Sequence, residues 1–154
     1  MYDISVAVHV AAAVVGFGAT FSYPVIQIVA ERRDRRALPT AMATILSISR
    51  FVAVPATLVV GATGGYQVAS GPYALGDAWV SAGLGLYVAI MLVAVGYLAP
   101  RYRRAELAAR AMADAGETEL SPEYRAATRG VNAVGPVVAA AVLAVVALME
   151  LKPS

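Results

Sequence analysis

Four residues recur at helical spacing in the first apolar stretch of the chain, and they mark the face on which chemistry is most readily predicted. His9, Gly16, Thr20 and Gln27 follow one another at intervals of seven, four and seven residues, which places them on one side of a helix. The other sides are aliphatic or aromatic. Because lipid would leave an imidazole and an amide without partners, we expect this face to contact protein.

His9 is the single histidine, and the sequence contains no cysteine. Ser-His-Asp and Cys-His catalytic sets are therefore not predicted, and no acid lies deep in an apolar stretch to partner the imidazole, so we assign no catalytic residue. Two interpretations of His9 remain open. One is a hydrogen bond to a neighbouring helix. The other is axial ligation of iron in a b-type haem, with Gly16 giving room for the flat ring and a Met, a second copy or a partner supplying the second ligand.

Arg50 is the one basic residue at membrane depth, where a buried charge is costly. In one interpretation its side chain extends to the headgroup phosphates from the inner end of a span that begins at Phe51. In the other it faces the bundle and binds an anionic group, such as a lipid phosphate or a porphyrin propionate. Ser47, Thr57 and Gly61 share its helical face, which keeps the second interpretation open.

The elements that must position these residues are predicted to be membrane-spanning helices. The 154-residue chain is 60% hydrophobic, with a mean hydropathy of +0.70, values that exclude an ordinary soluble domain. We predict an all-α, four-helix transmembrane bundle in a single domain, 1–154, with spans at about 4–30, 50–69, 78–99 and 131–151. Residues 31–49 and 100–130 then form two connections, and residues 38–49 are predicted as an amphipathic helix partly in the membrane interface.

The arginines predict the orientation. Ten of the twelve Lys and Arg residues lie in 31–36 and 101–129, whereas the second connection, 70–77, has none. Basic residues near span ends are retained in the cytoplasm. We therefore expect both basic connections inside, both termini outside, and a multi-pass protein of a bacterial inner membrane. Nucleic-acid binding is not predicted, because the arginines follow the spacing of the spans.

Small residues mark helix faces that can approach closely. Ser81 and Gly85 have the small-x-x-x-small spacing, and Gly96 falls on or near the same stripe of the third span. Ala140 and Ala144 keep one side of the fourth span thin. We predict that these five positions are used for helix packing, either within the chain or with a second copy.

Several short motifs are distributed along the chain: residues 9–18 (HVAAAVVGFG), Tyr23-Pro24, Arg50 with Pro55, the small residues 61–65, Asp77-Ala78-Trp79 and Pro100-Arg101. Together they resemble a bacterial family of predicted four-helix membrane proteins, domain-of-unknown-function family 2269. That family is more distantly similar to the copper-resistance protein D group and to membrane proteins proposed to act on protoporphyrinogen. The resemblance implies that His9 is a metal or porphyrin ligand.

Packing signals are plentiful and reactive groups are scarce. The leading hypothesis is therefore a non-enzymatic membrane scaffold or accessory subunit that contacts the lipid bilayer and associates with itself or with a larger membrane complex. The alternative is a redox protein that binds haem b or another porphyrin through His9, with Gly16 and Arg50 beside the ring. A small channel or transporter formed by an oligomer is a second alternative.

Overall fold

The computed structural model of the protein describes residues 1–151, so Lys152 and the last two positions of the predicted domain lie outside the described residues. The described chain is all helical, as predicted, with no strand. Its α-helices are α1 Tyr2–Arg33, α2 Leu38–Ile48, α3 Val54–Ser70, α4 Ala78–Val93, α5 Ala99–Asp114 and α6 Pro122–Leu151.

These helices join into four rods that are long and apolar enough to cross a membrane, Tyr2–Arg33, Arg35–Ser70, Ala78–Asp114 and Pro122–Leu151. The prediction of four spans is thereby confirmed. One π-helical turn, Ser49–Ala53, links α2 to α3, and another, Ala94–Leu98, links α4 to α5. Pro55 and Pro100 lie just beyond these turns, where the missing amide hydrogen prevents regular α-helical bonding.

The two middle rods are longer than a bilayer requires. They have 36 and 37 residues, or about 55 Å at a rise of ~1.5 Å per residue. A hydrocarbon layer is only about 30 Å thick. We call the end with the connections 34–37 and 115–121 the connection end, and the end with residues 71–77 the loop end. The N-terminus lies at the loop end, where Gln67 of α3 donates to the Ser5 carbonyl of α1 at 3.4 Å.

Helix pairs α1–α3 and α4–α6 form the spanning part, and α2, α5 and the start of α6 pack together at the connection end. The connection-end core consists of Tyr23, Ala30, Leu38, Ala41, Met42, Ile45, Tyr102, Ala105, Ala109, Met112, Tyr124, Ala127 and Val131. A smaller cluster of Ile90, Val142 and Val145 joins α4 to α6. Most of the burial therefore lies at the connection end, where α2, α5 and the start of α6 pack together.

Residues predicted to form an interfacial helix contribute to this core. Leu38, Met42 and Ile45 of α2 are fully buried, and α2 packs mainly on α5 and α1. Its apolar stripe is therefore covered by protein, since α5 presents a matching row that includes Ala105 and Ala109.

Candidate functional site

His9 lies at the α1–α3 contact, near the loop end. It is 8% exposed, and its Nδ1 lies 2.9 Å from Oγ1 of Thr63. The Thr63 hydroxyl donates its one hydrogen to the Val59 carbonyl at 2.6 Å, so Nδ1 of His9 is the donor in the pair. The imidazole also forms a hydrogen bond with the backbone of Val60, one helical turn before Thr63 on α3.

The prediction that one stripe of α1 faces protein is confirmed, because the residues of this stripe are buried or partly buried. His9, Gly16 and Gln27 are buried and Thr20 is partly buried. The Thr20 hydroxyl donates to the Phe17 carbonyl of its own helix. The stripe therefore faces neighbouring helices, and Thr20 uses its hydrogen within α1.

His9, Gly16 and Arg50 do not line a common cavity for a porphyrin ring. A Cβ atom on Gly16 would lie 3.0 Å from the Cβ of Ala56, so α3 fills the room that a flat ring would need. Arg50 is exposed, and its guanidinium carbon lies 5.5 Å from the centroid of the Phe51 ring. Thirteen residues of one rod separate Arg50 from the His9 partner Thr63, a distance of about 20 Å along the helix. The antiparallel register of α1 and α3 accounts for this separation.

The five positions predicted for helix packing are all exposed on the outside of the chain: Ser81, Gly85, Gly96, Ala140 and Ala144. A Cβ atom on Gly85 or Gly96 would meet no described atom within 4 Å. The α4–α6 contact instead uses other residues, with Ile90 against Val142 and Val145. Of the five side chains, that of Ser81 donates to the Leu75 carbonyl at the loop end.

Sequence reasoning missed a polar group at the connection end, the Glu31 cluster, which comprises Gln27, Glu31, Tyr124 and Asn132. Gln27 donates from Nε2 to Oε1 of Glu31 at 2.9 Å and to Oδ1 of Asn132 at 3.3 Å. The Tyr124 hydroxyl donates to the same Glu31 oxygen at 2.9 Å. These bonds connect the end of α1 to α6, beside the connection-end core.

The carboxylate of Glu31 has no cationic partner within 4.0 Å among residues 1–151. Arg35 lies nearby, but it donates to the main-chain carbonyl of Glu31 and to that of Thr118. Gln27 is 1% exposed and Tyr124 is completely buried. The cluster therefore holds an unpaired negative charge next to two buried polar side chains.

Part of this cluster could have been found from the sequence. Gln27 and Glu31 are four residues apart, so Glu31 continues the stripe of His9, Gly16 and Gln27 by one more turn. In the predicted topology Glu31 is instead the first residue of the connection 31–49. Tyr124 gave no such signal, because 93 positions separate it from Glu31.

Residues 1–151 contain no group of three or more His, Cys, Asp or Glu side chains that could bind a metal ion together.

Comparison with known proteins identifies one family model, described as predicted integral membrane protein (DUF2269), which matches residues 4–153. No curated protein and no solved structure matches the chain.

Proposed function

This chain belongs to the DUF2269 family of predicted integral membrane proteins, and we propose that it is a small, non-enzymatic scaffold or accessory subunit of a membrane assembly. In this proposal the lipid-facing sides of α4 and α6 bind a second copy of the chain or a helix of a larger complex. The connection end lies in the cytoplasm of a bacterial cell, and both termini lie outside.

The observation that carries the proposal is the exposure of the small residues. Ser81 and Gly85 of α4, Gly96 of the π-helical turn that follows α4, and Ala140 and Ala144 of α6 are all exposed, and a Cβ atom on either glycine would meet no described atom within 4 Å. Association in lipid depends on close van der Waals contact and not on hydrophobic burial, and small residues permit that contact.

The arrangement of charge supports the proposed orientation. Arg32 and Arg33 end α1 at the connection end, and Arg101, Arg103 and Arg104 begin α5, the part of the third rod that leads to this end. Basic residues near span ends are retained in the cytoplasm, and this rule supports the proposed cytoplasmic connection end.

Cysteine cross-linking tests the association, with a second copy as the first partner to examine. The protein has no native cysteine, so Gly85→Cys introduces a single thiol. Oxidation of membranes that contain this variant is expected to give a disulfide-linked dimer on a non-reducing gel. Val10→Cys is the matched control, because Val10 is exposed and lies about as far from the loop end on α1. It should remain monomeric.

Monomers alone from Ser81→Cys and Gly85→Cys, together with a monomeric mass for the wild-type protein in mild detergent, would contradict self-association. Equal cross-linking of Val10→Cys would indicate random collision in the membrane instead of a specific face.

A second candidate function, a b-type haem protein, is favoured by the state of His9. The imidazole is buried between α1 and α3, and its Nδ1 is held by the Thr63 hydroxyl at 2.9 Å. A histidine that ligates iron also donates from its other ring nitrogen to a neighbouring acceptor. In this candidate Nε2 is the protein's ligand to the iron, and a second copy or a partner completes the coordination.

An absorption spectrum tests this candidate. Protein purified in mild detergent from cells supplied with a haem precursor is expected to show a Soret band, with α and β bands after dithionite reduction. His9→Ala should lose these bands, whereas Arg50→Ala should keep them, because Arg50 lies about 20 Å from His9 along the helices. A featureless spectrum from folded wild-type protein would rule out the haem function.

A further inference from the structure

The Glu31 cluster contains one buried hydrogen-bond acceptor without a donor and one charge without a counter-ion among residues 1–151. The first is the side-chain oxygen of Gln27, Oε1, which is buried and accepts no hydrogen bond. The second is the charge of Glu31, which receives two neutral donors but no cation. A buried acceptor without a donor is rare in folded proteins and calls for an ordered water or an ion.

The amide of Gln27 is fixed in orientation. Both hydrogens of Nε2 are used, one towards Glu31 and one towards Asn132, so a reversed amide would lose both bonds. Oxygen and nitrogen of one amide are about 2.2 Å apart by their bond lengths. Since Nε2 is 2.9 Å from Oε1 of Glu31, the unpartnered oxygen lies within about 5 Å of the carboxylate.

We propose that the Glu31 cluster binds one monovalent alkali cation. Its ligands are Oε1 of Gln27 and the Glu31 carboxylate, whose Oε2 makes no hydrogen bond in 1–151. A cation would both coordinate the Gln27 oxygen and neutralise the Glu31 carboxylate. A water molecule would satisfy only the oxygen and would leave the charge uncompensated.

The ligand chemistry selects the class of ion. Carboxylate and amide oxygens are hard ligands that favour alkali and alkaline-earth ions over transition metals. One carboxylate balances one positive charge, whereas a divalent ion would leave a net charge beside the buried Tyr124 and Gln27, which is unfavourable in a poorly polarisable setting. Glu31 is partly exposed and Asn132 is exposed, so two members of the cluster lie at the surface.

Thermal unfolding in different salts tests this proposal independently of the scaffold and haem candidates. The purified protein is heated in mild detergent in sodium, potassium or choline chloride at equal ionic strength and pH, with helicity followed by circular dichroism. Sodium or potassium is expected to raise the midpoint temperature above that in choline, with an increment that saturates as the concentration rises.

Variants of the two proposed ligands, compared with a variant of a distant carboxylate, distinguish cation binding at the cluster from a general effect of salt on surface charges. Glu31→Gln keeps an acceptor for Tyr124 but removes the charge, and it should abolish the increment, as should Gln27→Leu. Glu106→Gln is the matched control, because Glu106 forms an ion pair with Arg110 away from the cluster. It should keep the full increment.

Equal midpoints in the three salts, or an increment that persists in Glu31→Gln, would overturn the proposal and assign the Gln27 oxygen to a water molecule. Should the variants fail to fold, the wild-type protein decides the matter by binding of radioactive sodium. We expect one displaceable sodium ion per chain. If sodium shows no saturable binding, and competition shows none for potassium, the site is refuted.

Discussion

Tyr124→Ala is expected to lower the free energy of unfolding by about 3–5 kcal/mol, the usual cost of removing a fully buried aromatic ring. Tyr124 has no exposed surface and belongs to the connection-end core with residues of α1, α2 and α5. Its removal leaves a cavity and also takes a donor from Glu31. Unfolding by increasing fractions of sodium dodecyl sulfate in mixed micelles, followed by circular dichroism, measures the change.

Tyr124→Phe separates the ring from its hydroxyl. It should cost about 1.5–3 kcal/mol, the range for a hydrogen bond to a charged group. Tyr66→Ala is the control for loss of a tyrosine ring, because Tyr66 lies exposed near the loop end, and its effect should be below about 1 kcal/mol. If Tyr124→Ala changed stability no more than Tyr66→Ala, the connection-end core would not be packed as described.

Gly16→Leu is expected to separate α1 from α3 and to lower the free energy of unfolding by about 1–3 kcal/mol, the usual cost of overpacking. The first added carbon would already lie 3.0 Å from the Cβ of Ala56. That distance is shorter than a normal contact between carbon atoms. The remaining atoms of leucine have no space between the helices, so the backbones must move apart. The same detergent unfolding experiment measures the loss.

Gly18→Leu provides a control on the same helix. Gly18 is exposed, and a Cβ atom there would meet nothing within 4 Å. This substitution should be neutral, or stabilising by up to about 1 kcal/mol, since glycine is a poor helix former. Equal effects of the two substitutions would mean that α1 does not pack on α3 through Gly16.

The sequence by itself predicted the four spans, the all-helical class and the buried stripe of α1. Each depends on local information, because hydropathy over about 20 residues selects a span and helical periodicity selects a face. His9, Gly16 and Gln27 are buried for the reason inferred, since polar and small residues in a span are placed towards protein. The start of α6 is equally local, with the Ser121 hydroxyl accepting from the amide of Tyr124.

The tertiary structure alone decided which predicted residues meet. The antiparallel register of α1 and α3 brings Thr63 to His9 and keeps Arg50 away from it. Contact between Tyr124 and Glu31 requires folding across 93 positions, and no local pattern specifies such a pair. Small residues on α4 and α6 are ambiguous for a different reason. Lipid and a neighbouring helix are similarly apolar surroundings, so a span's sequence does not determine which of them covers a small-residue face.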